Sequence, residues 1–296
     1  EVLPTDRELF DRMYRDADSN TLRNEQLLAE KLSGAISYHS ERDSRTNAED
    51  YPRVVEIYRE VEMDHDQVEE YAYYIKKVIY EDRNIVDRSK ILEVDYSLLP
   101  TKKRNYFLNV TRQLSNLAKT RETSPKIDAI MELIKKGPWP VLVYSNYLKY
   151  GIYPVAVAME KLGMPYKTIT GYTSSDRLDL IVNNYNQGQY KALLLSMAGS
   201  ESLDLKGTQL AIVMEPHWND PRIDQVLGRA IRYLSHSHLP PEERLVTIYR
   251  FISVFPTRVR NPSADQYLRD LSTRKTRLWN TFLQLVRQVS IENTHG

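Results

Sequence analysis

Between residues 140 and 254 the chain alternates short apolar runs with segments whose apolar residues recur every three or four positions. This rhythm restricts the fold more than any other feature. The runs are PVLVYS (140–145), YKTIT (166–170), ALLLS (192–196), QLAIVME (209–215) and RLVTIYRFISV (244–254). Runs this short and apolar suit strands covered on both faces. The intervening segments, among them 151–162 and 174–186, suit the helices that would cover them. Strands separated in this way predict an α/β fold with an open, mostly parallel sheet and right-handed crossovers. Ligands of such sheets sit beyond the carboxyl ends of the strands.

The flanks read differently. From Asp6 to Leu32, residues such as Leu9, Phe10, Met13, Leu28 and Leu32 recur at helical spacing. GAISY (34–38) is a strand-like run, residues 40–50 read as an exposed loop, and VVEIYREVEM (54–63) alternates as a strand does. Asp64 is placed to cap the helix that follows. Residues 83–122 interleave Lys102, Lys103, Arg104, Arg112, Lys119 and Arg121 with Tyr106, Phe107 and Leu108. That pattern fits either a helical insertion touching a polyanion or an ordinary solvated face. Ser124-Pro125 starts a capped helix, and Ser174 or Ser175 would cap another. The expected division is a mainly helical extension at 1–123 with a short strand near 54–63, an α/β lobe at 124–260, and a C-terminal helical tail at 261–296.

Charge excludes some partners as global effects. The 41 Lys and Arg against 40 Asp and Glu leave a net charge of +1, so any attraction to nucleic acid must be local. The absence of cysteine excludes disulfides and thiolate metal sites. His217, His236 and His238 are the remaining metal candidates. With no carboxylate cluster near the last two, they read as surface histidines, and no metal site is expected. No apolar run approaches the ~20 residues of a membrane span and no signal peptide is visible, so an intracellular protein without a membrane partner is expected. The first residue is Glu, which suggests a processed chain or an excised fragment. The 21 Tyr against 5 Phe have no explanation beyond amphipathic packing.

The densest chemistry lies at Gln225-Val226-Leu227-Gly228-Arg229-Ala230-Ile231-Arg232, a Q-x-x-G-R-x-x-R pattern. On a helix, residues three and four apart share a face, so Gln225, Arg229 and Arg232 are expected to project the same way, with Gly228 leaving that turn bare. Two guanidiniums there form a fork for phosphate or carboxylate, and the alternative is a solvated basic face. Three segments that follow strands would join it at one sheet edge: 144–147 with Ser145 and Asn146, 196–204 with Ser196, Gly199 and Asp204, and 215–219. A Gly/Ser turn after a buried strand suits phosphate oxygens, although Gly199 alone equally makes a tight turn. Asp204 is either a helix cap or an acceptor for a ribose hydroxyl or a motif arginine.

The ordered set SPKIDAIMELIKK, VLVYSNY, TSSDRLDLIVNNYN, LLLSMAGSESLDL and MEPHWNDPRIDQVLGRAIR resembles the second RecA-like lobe of superfamily 2 helicases and translocases. Its wording is most similar to the Swi/Snf-like branch. SGAISYHS, YPRVVEIYREVEM and SADQYLRDLSTRK extend the likeness to helicases and early-transcription-factor-type ATPases of large cytoplasmic DNA viruses, the pox-, asfar- and mimivirus-like group. The resemblance implies that Arg229 and Arg232 are arginine fingers for ATP held, with Mg2+, mainly by a first lobe. Gln225 and Gly228 would belong to the same surface, and Asp204 would approach the ribose or the fingers. It also implies that Ser145, Asn146, Ser196 and Gly199 face a DNA or RNA backbone. The expected partners are a first RecA-like lobe, that nucleic-acid strand and viral transcription machinery, in the host cytoplasm, a viral factory or the virion. Ser202 stands where the family often has Gly, which puts close backbone approach at that turn in doubt.

The 296 residues contain neither a G-x-x-x-x-G-K-[ST] phosphate loop nor a D-E-x-[HDN] magnesium segment. They therefore read as the C-terminal part of a motor that is inactive by itself. The rival reading is a non-hydrolysing RecA-like scaffold that binds nucleic acid. A Rossmann-type enzyme is disfavoured because no G-x-G-x-x-G turn follows the first strand.

Overall fold

A computed structural model of the chain describes residues 3–16, 21–37, 50–80, 92, 94–197, 203–218, 220–257, 259 and 261–291. Two compact units result, Glu1–Ala48 with Asp270–Gly296, and Glu49–Arg269. In the smaller unit, α1 (Arg7–Tyr14), β1 (Arg15–Asp16), β2 (Thr21–Leu22) and α2 (Glu25–Leu32) pack with the later turns of the C-terminal helix. Its core joins Tyr14, Leu28, Leu32, Leu285 and Val286. GAISY makes no strand in its described part: residues 34–37 are turn and irregular chain, where Gly34 takes a positive φ of 71° after α2. Tyr38 lies outside the described residues.

The larger unit is built on six strands in the order β3-β8-β7-β4-β6-β5, with every neighbouring pair parallel. They are β3 (Arg53–Glu62), β4 (Val141–Ser145), β5 (Tyr166–Ile169), β6 (Ala192–Ser196), β7 (Leu210–Val213) and β8 (Leu245–Val254). Its helices are α3 (His65–Ile75), α4 (Thr101–Asn116), α5 (Pro125–Lys136), α6 (Tyr153–Lys161), α7 (Ser175–Asn186) and α8 (Asp220–Leu227), and α9 (Ala264–Val289) opens here.

The apolar runs are apolar because both faces of the central strands are covered. Val141 and Val143 of β4 join Leu194 of β6 and Ile212 of β7 beneath Ile130 and Ile134 of α5 and Val155 and Met159 of α6. The alternate residues Leu142, Tyr144, Leu193, Leu195 and Val213 meet Tyr185 of α7 and Ile223 and Val226 of α8 on the other side. Each such buried side chain contributes about 1.5–3 kcal/mol.

Helix starts follow the side-chain chemistry in two cases of three. Asp64 forms a capping box with Gln67, and Ser124 accepts from the Ile127 amide at 3.2 Å. Ser174 precedes α7 without making a side-chain cap bond. The strand expected inside the N-terminal extension is present, and it is an edge of the main sheet. β3 pairs with β8 from Arg53↔Leu245 to Glu62↔Val254.

Candidate functional site

The register brings the expected loops together. Ser145 pairs with Ser196 at the ends of β4 and β6, and the Met214 amide donates to the Tyr144 carbonyl at 3.0 Å just past β7. Segments 145–147, 196–197 and 214–218 thus leave the same edge of the sheet. Ser145 is fully buried and Ser196 is 4% exposed. Gly199 and Ser202 lie outside the described residues.

The centre of this edge is Glu215, which the sequence reading passed over. Its buried carboxylate accepts from Ser145 Oγ at 2.9 and 3.1 Å, the Asn146 amide at 2.6 Å, Asn146 Nδ2 at 2.9 Å and Asn116 Nδ2 at 2.7 Å. Ser145 Oγ in turn accepts from the Tyr147 amide at 3.1 Å, so Ser145 and Asn146 are held inward on this carboxylate. A buried carboxylate is tolerated only with such a set of donors. The nearby Tyr144 hydroxyl is pushed up to about 12, first by burial and then by the Glu215 charge. Asn116 passes the network on: its Oδ1 accepts from Lys126 Nζ at 3.0 Å, and Lys126 pairs with Asp265 at 2.9 Å, both essentially without solvent.

Arg112 completes the set and departs from the solvated face expected of its segment, in which Lys102, Lys119 and Arg121 are exposed. On α4 it is 2% exposed. Its Nη2 donates to the Pro216 carbonyl at 2.6 Å, and its guanidinium lies 5.3 Å from the Tyr147 ring and 5.5 Å from the Trp218 ring. Lys126 thus pairs with Asp265, while Glu215 is held by neutral donors and Arg112 by the Pro216 carbonyl and two rings. The one signal available in the sequence was an acidic residue at the tail of a fully apolar run, where unpaired charge is rare.

The arginine segment differs in geometry from the expected single helix. α8 ends at Leu227, with Ile223, Val226 and Leu227 buried and Gln225 exposed. The chain then tightens: Gly228 N bonds Asp224 O at 2.7 Å, but Arg229 N bonds Val226 O at 3.1 Å and Ala230 N bonds Leu227 O at 2.9 Å. Gly228 permits this closure, since a Cβ there would lie 3.1 Å from the Asp224 carbonyl oxygen. Arg229 is half-buried on the closing turn, and Arg232 lies beyond it in irregular chain. Gln225, Arg229 and Arg232 do not share one helix face. Arg232 instead reaches Asp204, Nη1 to Oδ1 at 3.5 Å, and the Leu205 amide donates to the Arg229 carbonyl at 3.3 Å. No helix begins at Asp204, so of its two sequence readings the structure holds the one that faces an arginine.

Two of the three histidines are also corrected. His236 is fully buried and His217 is 7% exposed, while His238 is at the surface. His236 Nε2 lies 2.7 Å from the Thr208 carbonyl and Nδ1 lies 2.9 Å from Ser235 Oγ. Since a carbonyl only accepts, Nε2 carries a proton, and the one proton of the Ser235 hydroxyl is shared between Nδ1 and the Arg232 carbonyl 2.8 Å away. Burial holds its pKa below the usual histidine range. Among the described residues no three His, Asp or Glu converge as a metal site, and no helix is long and apolar enough to cross a membrane. A cavity of about 440 Å³ in the smaller unit is lined by Phe10, Leu278, Trp279 and Phe282, and none of the expected site residues lines it.

Residues 125–234 match the helicase conserved C-terminal domain. Helicase likeness extends beyond that segment. The chain is 53% identical over 293 residues, 99% of its length, to a protein of Acanthamoeba polyphaga mimivirus that carries the name ATP-dependent RNA helicase. It is 25% identical over 380 aligned positions, 98% of its length, to a termination factor NPH-I homolog of African swine fever virus. It spans 65% of the first relative and 53% of the second. In fold it is similar to the C-terminal part of the Fun30 ATPase domain, with a TM-score of 0.51 and 14% identity over 75% of this chain and 90% of that one. The parallel α/β sheet and the likeness to viral proteins named as helicases and NPH-I homologs agree with the match of residues 125–234 to the helicase C-terminal domain.

Proposed function

We propose that the chain is the C-terminal motor lobe of an ATP-dependent nucleic-acid helicase or translocase acting in viral transcription or genome processing. The observation that carries this reading is the convergence, within a segment matching the helicase C-terminal domain, of the Arg229 and Arg232 segment with Asp204 beside a parallel sheet. In this reading, Arg229 and Arg232 are arginine fingers that meet the γ-phosphate of ATP. The nucleotide and its Mg2+ are held mainly by a first RecA-like lobe, which would supply the phosphate loop absent from these 296 residues. Phosphoryl transfer spreads charge over the equatorial oxygens, and fingers of this kind are worth about three to five orders of magnitude in rate.

Asp204 has a definite task in this scheme. It holds Arg232 at 3.5 Å in an exposed pair, which is weak and can be exchanged for a phosphate at little cost. Gln225 and Gly228 shape the same surface. Ser196 and Gly199 would contact a DNA or RNA backbone, with Ser145 and Asn146, expected there too, acting from beneath by fixing the loop on Glu215. Backbone contacts carry no base identity, so binding is indifferent to sequence and weakens with salt. The test is Arg232→Ala in the protein that includes the first lobe. Turnover falls by at least about a thousandfold while ATP affinity changes only a few-fold, measured by steady-state hydrolysis and nucleotide titration. Unchanged turnover refutes the assignment.

A further inference from the structure

Tyr172 is the most exposed large apolar side chain among the described residues, at 90%. It occupies the turn 170–173, where the chain leaves β5. The register Ile169↔Leu195 places this turn beside Ser196 at the same carboxyl edge, one strand beyond the Ser145↔Ser196 pair. Three hydrogen bonds hold the turn. The Thr173 amide donates to the Thr170 carbonyl at 3.0 Å, the Thr170 amide to Thr173 Oγ1 at 3.0 Å, and the Tyr172 amide to Thr170 Oγ1 at 3.2 Å. Both threonine hydroxyls are thus engaged in fixing the backbone under one solvated ring. An exposed ring contributes no burial energy to the fold, so its ordered presentation has no return within the chain.

We propose that Tyr172 is a stacking platform for an unpaired base of the nucleic-acid strand, an inference that rests on the nucleic-acid reading above. Position favours this occupant, because the turn continues the row of strand ends at Ser145 and Ser196, the edge assigned to the strand above. Tyrosine is suited to it as a rigid aromatic face with few rotatable bonds, held here on a turn that is already ordered. Every base offers a π-face, so the contact adds affinity without sequence preference. It is also not a phosphate contact. Asp176, Arg177 and Asp179 follow in the chain, a mixed set with no excess of positive charge.

That difference supplies the test. Binding of labelled homopolymeric single-stranded DNA and RNA to the chain is followed by fluorescence anisotropy over a salt series, for the unaltered chain and for Tyr172→Ala, Tyr172→Phe and Tyr172→Trp. Tyr172→Ala weakens binding roughly five- to one-hundred-fold, with the slope of log affinity against log salt unchanged. Phe and Trp retain the affinity, and all variants unfold at the temperature of the unaltered chain. Equal affinity of Tyr172→Ala and the unaltered chain overturns the proposal. So does loss with Phe as large as with Ala, which makes the hydroxyl the contact, or a slope reduced by a whole phosphate. No binding of either strand by the unaltered chain overturns the nucleic-acid reading itself, and this proposal with it.

Discussion

At the scale of single residues, the site depends on groups whose protonation or pairing the fold imposes. His236 is buried between Thr208 and Ser235, and Ser235 Oγ also donates to the Arg232 carbonyl at 2.8 Å. The imidazole therefore sits one residue from the anchor of a proposed finger. Its folded pKa is depressed by burial, so below the ordinary histidine value the unfolded chain takes up a proton that the folded chain refuses. The His236 contribution to stability is complete above about pH 6.5 and is lost as pH falls from there towards the depressed folded value. Urea unfolding from pH 7.5 downward should show this loss, and His236→Gln should flatten it. An unchanged slope in the variant would remove His236 as the cause.

Among elements, the Glu215 network ties α4, α5, β4, α9 and the segment after β7 to one another through buried charge. Asn116 ends α4, Lys126 opens α5, Ser145 ends β4 and Asp265 opens α9. The network thus joins strand and helix termini, where backbone groups lack partners inside their own element. Glu215→Gln keeps the shape but removes the buried negative charge onto which Ser145, Asn146 and Asn116 donate. It also sets an amide nitrogen among the donors of Ser145, Asn146 and Asn116. Removing one member of a buried charge set costs about 3–5 kcal/mol, and denaturant unfolding should register a loss of that size. A cost below about 1 kcal/mol would mean that water already screens the carboxylate.

For the whole molecule, the decisive quantity is what one lobe can bind. The net charge of +1 provides no long-range field, so the nucleic-acid binding proposed above would have to come from local contacts. In the proposed reading, Arg229 and Arg232 act on a nucleotide held by a first lobe. The chain by itself should hydrolyse ATP at no more than the background rate, with or without nucleic acid, in a phosphate-release assay. Strand-stimulated turnover by these 296 residues would defeat the two-lobe reading. Both viral relatives are longer than the stretch matched here, as that reading requires.

The central strands were legible in the sequence because a strand buried on both faces has to be apolar at every position, as 141–145 and 192–196 are. Helix starts at Asp64 and Ser124 were legible because a cap is made by residues three apart. The Gln/Arg segment was legible as a set of residues, but its shape was not. Where α8 stops is decided by the burial of Leu227 and Ala230 and by the backbone bond from Leu205 to Arg229. Likewise β3 could be read as a strand, yet its partner β8 could not, since pairing depends on a remote edge. Only the tertiary structure made Glu215, Arg112 and His236 interior residues. Local pattern records which faces must be covered, whereas the pairing of buried charges is set between segments far apart in the chain.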